Sequence, residues 1–144
     1  RQQDDGGSLM ATCIGVCAHG NLSTALVESM GMIAGVPEGV EAFPLLPGKD
    51  PFEYRGEIAA FVAAHEADGV LLFADLFGGT PANMCVSLAN QDGVEVVAGV
   101  NLAMLIEAAS MKDQMNPMEL RDLALSCGAE SLVDVKALLA ARRG

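Results

Sequence analysis

The chain has 144 residues, of which 51% are hydrophobic and 19% charged, so it can fill one core of ordinary domain size. Its 8 basic and 19 acidic residues give a net charge of −11, which argues against nucleic-acid and anionic-membrane binding because both need clustered Lys and Arg. Gly, Pro or polar residues interrupt every apolar run before it reaches the roughly 20 residues that span a bilayer.

Residues 1–10 are mostly polar and lack the apolar segment of a secretion signal, so we expect a disordered leader or an expression remnant before a domain over 11–144. Cys13 and Cys17 lie on one predicted strand, about 13 Å apart, which is too far for a disulfide. Reduced thiols favour a cytoplasmic protein. No second pair of suitably spaced Cys or His accompanies them, so we expect no metal.

The first half of the chain begins with a strand over 12–18, a run of small and β-branched residues typical of a strand covered on both faces. His19 follows it, and apolar residues at helical spacing from Leu22 predict a helix. Residues 40–46 predict a second strand. Pro44 makes this strand an edge candidate, because proline cannot donate to a central ladder.

The middle of the chain carries two helix starts around one strand. Asp50 before a proline predicts an N-cap, and residues 70–74 form the most continuous apolar run, which predicts a central parallel strand. Asp75 ends that strand. Thr80 before a proline predicts a second N-cap, opening a helix that extends to Asn90.

The last part of the chain repeats this alternation. Residues 94–98 predict a fourth strand, and Asn101 and Asn116 are expected to cap two further helices. Residues 131–135 predict a short fifth strand before an Ala-rich basic end. The pattern predicts an α/β fold: an open, mostly parallel sheet with helices on both faces.

Polar groups coincide at one predicted edge of this sheet. Ligands of open α/β sheets bind beyond the carboxyl ends of the strands, where successive crossovers leave on opposite faces. In a sheet of order 2-1-3-4, His19 and Asp75 would face each other there. Gly78 and Gly79 would let backbone N–H groups turn toward a ligand, and the helix opening at Thr80 would add unpaired donors. We therefore expect a small anion site beside an imidazole.

Each of these features also has a purely structural interpretation. His19 could be a polar residue at a loop entrance, Asp75 could cap a turn, and the glycines could belong to an ordinary strand-to-helix connection. His65 lies near the end of its helix beside Glu66 and Asp68, where we expect it to be solvated or to compensate the helix dipole. The spacing by itself leaves these alternatives open.

Three segments carry a resemblance to a known family: IGVCAHGNLSTAL over 14–26, DLFGGTPAN over 75–83 and VAGVNLAML over 97–105. In them the sequence resembles the IIA component of the mannose family of the bacterial sugar phosphotransferase system, over roughly 12–139. The resemblance implies that His19 accepts a phosphoryl group from the histidine phosphocarrier protein and passes it to a IIB component. It implies no cofactor other than this covalent phosphoryl group.

The resemblance also implies roles for other residues of the site. Asp75 matches the aspartate that hydrogen-bonds the second imidazole nitrogen, which would fix the tautomer and stabilise positive charge on the ring. Asn101 matches a turn near the same end of the sheet, a candidate pocket residue. The family's phosphate-cradling loop is matched by Leu76, Phe77, Gly78, Gly79 and Thr80.

The resemblance further implies a homodimer in which the fifth strand pairs with the neighbouring subunit's sheet. No fused IIB domain is recognised, so we expect separate IIB, IIC and IID partners, with membrane contact only through IIC and IID. A regulatory IIA-like module, whose phosphorylation is sensed by another protein without sugar transport, would use identical chemistry and stays an alternative.

Other classes of the same architecture fit the sequence less well. A flavodoxin-like protein needs aromatic residues to stack its cofactor, and the chain has no Trp and one Tyr. A response-regulator receiver needs a carboxylate cluster after its first strand, where this chain has His19. A Rossmann dehydrogenase needs a glycine-rich fingerprint at that place, which is absent from the sequence.

Overall fold

The computed structural model describes residues 11–143, and the predicted leader lies outside them. Its strands are β1 (Cys13–His19), β2 (Val40–Leu45), β3 (Val70–Ala74) and β4 (Val94–Ala98). They form a parallel sheet in the order β2-β1-β3-β4. The predicted α/β class and the strand order 2-1-3-4 are confirmed, and β2 lies at an edge as its proline indicated.

Helices cover both faces of the sheet, as the crossovers of a parallel sheet require. Within residues 11–143 no helix is long and apolar enough to cross a membrane. The helices are α1 (Leu22–Ala34), α2 (Pro51–Ala64), α3 (Thr80–Val86), α4 (Leu102–Met111), α5 (Pro117–Glu130) and α6 (Val135–Arg143). One core layer packs beneath α2 and α3, and a second packs beneath α1, α4 and α5.

The continuous apolar run of β3 is explained by its two buried faces. Val70 and Leu72 belong to the core layer beneath α2 and α3, whereas Leu71 and Phe73 belong to the opposite layer. Successive side chains of a strand point to opposite faces, so a strand covered on both sides needs no polar positions. This central strand lies beside β1 at the sheet's topological switch point.

Three of the predicted helix caps are confirmed by side-chain hydrogen bonds. The Asp50 carboxylate accepts the backbone N–H groups of Phe52 and Glu53, at 3.0 and 2.9 Å. The Asn101 side chain accepts the N–H of Met104 at 3.0 Å, and Asn116 forms a capping box at the start of α5. Such caps satisfy N–H groups that have no partner inside the helix.

The prediction for α3 was wrong at both ends. Gly79, in an extended conformation, is the N-cap, and Thr80 is already the first helical residue. A following proline is compatible with either assignment because the N–H groups of the first turn are unpaired anyway. The helix ends at Val86 instead of Asn90, since the Ser87 hydroxyl donates to a carbonyl of the last turn and tighter turns follow.

The predicted fifth strand over 131–135 is absent from the described chain. Residues 132–134 have no regular secondary structure, and α6 begins at Val135. An extended segment becomes a strand only when a ladder partner accepts its hydrogen bonds, and no strand of the same chain pairs with this segment. Its pairing with a neighbouring subunit stays a prediction, since the structure contains one chain.

Candidate functional site

The fold brings His19 and Asp75 into direct contact at the carboxyl edge of the sheet. Cys17 of β1 is in register with Ala74 of β3, so the next residues of both strands leave the sheet side by side. One carboxylate oxygen of Asp75, Oδ2, lies 2.7 Å from Nδ1 of His19. The same oxygen accepts a hydrogen bond from the backbone N–H of His19 at 3.0 Å. The predicted juxtaposition of these two residues is present in the structure.

The protonation of this pair follows from the environment of Asp75. Burial by itself would raise the pKa of the carboxyl group, but the hydrogen bonds from the backbone N–H and the ring of His19 lower the pKa overall. Asp75 is therefore ionised at neutral pH and can only accept hydrogen bonds. The proton of the His19 ring must then lie on Nδ1, which leaves a free lone pair on Nε2.

The two ends of the pair differ in exposure. The His19 side chain is 51% exposed and the Asp75 side chain 11%. The second carboxylate oxygen of Asp75, Oδ1, is buried and accepts no hydrogen bond from the described residues. The hydrogen bond to Asp75 thus fixes the orientation of the ring on its buried side. The unprotonated nitrogen, Nε2, lies on the other side, where a partner molecule can reach it.

We expect the pKa of Asp75 to rise in His19→Ala, because the variant loses the ring's hydrogen bond and charge while keeping the backbone N–H. The pKa of Asp75 is lowered in the folded protein, so its interaction with His19 contributes its full stabilisation at pH values above the unfolded pKa of about 3.9. This stabilisation is lost as the pH falls through the pKa of the folded protein. Carboxyl ¹³C NMR titration of both proteins measures the shift. Identical titration midpoints would contradict the assigned contact.

The loop between β3 and α3 supplies backbone donors next to this pair. The N–H groups of Phe77, Gly78 and Thr80 make no hydrogen bond within residues 11–143. Gly78 has a φ of +93°, a left-handed conformation that favours glycine, and its carbonyl accepts the Asn83 side-chain amide at 3.4 Å. Asn83, which the sequence reasoning did not single out, therefore links the loop to α3.

Gly79 is required for a different reason from the one predicted. Its φ is −82°, so it needs no special conformational freedom. A Cβ atom at this position would lie 2.8 Å from Cε1 of His19 and 3.5 Å from its Nε2. The glycine lets the loop backbone approach the imidazole more closely than any side chain would allow.

The other predicted site residues are less closely tied to the imidazole. The Asn101 side chain caps α4 and donates to the carbonyl of Gly128 at 3.2 Å, so its hydrogen bonds hold α4 and α5 together. Among the described residues no hydrogen bond joins it to His19 or Asp75. Leu76 and Phe77 expose 63% and 80% of their surface beside the site.

A second cluster lies at the opposite, amino end of the sheet. The ligand atoms of Cys13, His65 and Asp68 all lie within 4.8 Å of one another. This cluster is not evident from the sequence because Cys13 starts β1 whereas the other two residues follow α2, and no metal-ligand spacing connects them. Only the pairing of β1 with β3 brings them together.

Comparison with known proteins gives consistent matches. A family model described as "PTS system fructose IIA component" matches residues 14–125. The "PTS system fructose-specific EIIA component" of Bacillus subtilis is 34% identical over 105 residues, which cover 69% of this chain and 70% of that protein. The "PTS system mannose-specific EIIAB component" of Escherichia coli K12 is 29% identical over 89% of this chain, which spans only 41% of that relative.

Solved structures agree with these sequence matches. A crystal structure of phosphotransferase system component EIIA from Streptococcus agalactiae has a TM-score of 0.82 and 28% identity, covering 88% of this chain and 98% of that chain. A PTS IIA protein associated with the fucose utilization operon of Streptococcus pneumoniae has a TM-score of 0.80 and 27% identity, with coverage of 90% and 97%. Fold and sequence thus point to the same group of proteins.

Proposed function

The chain belongs to the family of mannose- and fructose-type IIA components of the sugar phosphotransferase system, and we propose that it carries a phosphoryl group on Nε2 of His19. The observation that supports this assignment is the 2.7 Å contact between the Asp75 carboxylate and Nδ1, which leaves Nε2 as the free nucleophile. The proposed donor is the histidine phosphocarrier protein, and the proposed acceptor is a IIB component.

The loading step would proceed by in-line displacement at phosphorus. The Nε2 lone pair of His19 attacks the phosphoryl group, a new N–P bond forms, and the N–P bond of the donor breaks with its electron pair returning to the donor nitrogen. Nδ1 keeps its proton throughout, so the ring becomes imidazolium-like when Nε2 is phosphorylated. Transfer to the acceptor reverses these changes and returns the lone pair to Nε2.

The surroundings of His19 fit both halves of this cycle. The Asp75 carboxylate stabilises the positive charge that develops on the ring, and its low exposure strengthens that interaction. The N–H groups of Phe77, Gly78 and Thr80, which have no partner among residues 11–143, are available to the phosphoryl oxygens. These neutral donors would hold the phosphoryl group weakly enough for it to leave again, as a carrier requires.

The surface around His19 also suits docking with another protein. Leu76 and Phe77 are exposed immediately after Asp75, and Leu22 is 46% exposed three residues after His19. Apolar contacts of this kind do not involve charged groups. They are therefore not weakened by the chain's net charge of −11, even when the partner is acidic. We propose that both carriers of the cycle meet this face in turn.

The direct test is incubation of the chain with phosphoenolpyruvate, enzyme I and the histidine phosphocarrier protein, followed by intact-mass spectrometry at mildly alkaline pH. We expect one acid-labile phosphate per chain, which a IIB component then removes. Omission of enzyme I is the control. If the donor proteins phosphorylate another IIA protein but this chain gains no mass, the proposal is overturned. If the chain is phosphorylated but transfers the phosphoryl group to no IIB component, the result favours the regulatory alternative.

We expect Asp75→Asn to slow phosphoryl transfer between about 10- and 10⁴-fold, the upper value being the cost of the comparable change in serine proteases. Asp75 accepts both hydrogen bonds from His19, whereas an asparagine can turn its NH₂ group toward the ring and favour the wrong tautomer. Single-turnover rates of loading measure the effect. An unchanged rate would show that Asp75 acts only structurally.

A further inference from the structure

The amino end of the sheet carries a group of metal-ligating side chains that phosphoryl transfer does not use. Cys13, His65 and Asp68 offer a sulfur, a nitrogen and an oxygen ligand within 4.8 Å of one another. Among the described residues they form the only such group of three. Cys13 and His19 are the two ends of β1, so about 20 Å separate this group from the proposed carrier histidine.

The backbone holds the three side chains in a defined arrangement. His65 is the C-cap of α2, and its carbonyl accepts the N–H groups of Asp68 and Gly69, both at 3.0 Å. The carbonyl of Gly69 in turn accepts the N–H of Cys13 at 3.0 Å. The Phe61 ring packs against the imidazole with centroids 4.7 Å apart, which limits its rotation.

From this geometry we infer that Cys13, His65 and Asp68 bind a zinc ion, with a water molecule as fourth ligand. A thiolate, an imidazole and a carboxylate together suit Zn²⁺ better than Mg²⁺ or Ca²⁺, which prefer oxygen ligands alone. Tetrahedral Zn²⁺ needs its ligand atoms about 3.5 Å apart, so no pair of these atoms, all within 4.8 Å of one another, has to close by more than about 1.3 Å on binding.

The charges around the cluster fit a divalent cation. A thiolate and a carboxylate neutralise Zn²⁺, while a neutral imidazole adds no charge. The buried Lys112 ammonium lies next to Cys13 in the space left by Gly39, and it pairs with Asp113 at 2.9 Å. The loaded site would therefore be close to neutral, and the remaining lysine charge is matched by its own partner.

A nucleophilic role for Cys13 is a poorer explanation of the cluster. Reactive cysteines have accessible sulfur atoms, whereas Cys13 is 7% exposed. His65 and Asp68 are partly exposed and give a metal ion its route to the sulfur.

The test is titration of the reduced full chain with Co²⁺, a spectroscopic substitute for Zn²⁺. We expect one Co²⁺ per chain with a thiolate-to-metal charge-transfer band, which stoichiometric Zn²⁺ abolishes. Cys13→Ser should remove the band, whereas Cys127→Ser, which changes a free cysteine elsewhere, should retain it. His65→Gln should weaken Co²⁺ binding at least about 10-fold, since even the loss of a residue that only hydrogen-bonds a metal ligand costs about 10- to 100-fold.

His65→Gln keeps the test decisive if Cys13→Ser does not fold, because His65 is partly exposed. No charge-transfer band in the wild-type chain, a band that persists in a folded Cys13→Ser protein, or unchanged affinity in His65→Gln would each overturn the inference. Metal binding is read out without phosphoryl transfer, so this result and that of the carrier assay are independent. A zinc site would replace the sequence-based expectation of no metal.

Discussion

Replacement of His19 by alanine is expected to abolish phosphorylation of the chain completely. The variant removes Nε2, the nitrogen left free by the hydrogen bond between Nδ1 and Asp75. The fold should persist because the side chain is half exposed and Asp75 keeps the hydrogen bond from the backbone N–H of residue 19. We expect a loss of about 1 kcal/mol in the free energy of unfolding, the ordinary contribution of one hydrogen bond.

Intact-mass spectrometry after incubation with the donor proteins measures the loss, and denaturant unfolding verifies that the variant is folded. Peptide mapping of the phosphorylated wild type is the accompanying control, because the chain contains only two histidines, His19 and His65. A folded His19→Ala protein that still gains an acid-labile phosphate would refute the site assignment. Phosphate on the peptide that contains His65 would do the same.

The second large effect is expected from Gly79→Ala, which adds a single methyl group. The new Cβ would lie 2.8 Å from Cε1 of His19, closer than real Cβ contacts, so the ring must move away from its position against Asp75. Misplacement of a reacting group by about 1 Å can cost about 100-fold in rate, and we expect a loss of that size. The melting temperature should barely change because the backbone of Gly79 is unstrained and the His19 side chain that moves is half exposed.

Gly56→Ala is the matched control. This glycine lies within α2, and an added Cβ would contact nothing within 4 Å, so the methyl group should leave the transfer rate unchanged. It should also stabilise the helix by about 0.5–1 kcal/mol. Single-turnover loading rates and thermal unfolding of both variants make the comparison. A Gly79→Ala rate within about threefold of wild type would show that His19 tolerates the added methyl group and that the close approach of Gly79 does not position the ring.

Much of the fold follows from local signals in the sequence. Asp50, Asn101 and Asn116 cap helices as predicted, because capping requires only the side chain of one residue and backbone groups two or three positions away. The apolar run of β3 indicated a central strand, and a proline indicated that β2 lies at the edge. The meeting of His19 with Asp75 was also predictable, since each ends a strand at the same edge of a parallel sheet.

Local signals were insufficient where a contact joins distant segments. The need for glycine at position 79 depends on the approach of α3 to the ring of His19, and no pattern within the loop encodes that distance. The cluster of Cys13, His65 and Asp68 likewise exists only because β1 and β3 pair. Residues 131–135 show the opposite case: their composition suits a strand, but the described chain provides no partner strand.

The sequence alone therefore determined the order of the elements from β1 to α5, their packing class and the edge of the sheet where the chemistry lies. These properties depend on the periodicity of side chains and on caps a few residues long. The tertiary structure decided which nitrogen of His19 is free, why Gly79 must lack a side chain, and which side chains meet at the amino end of the sheet. Those properties depend on distances between segments that only packing brings together.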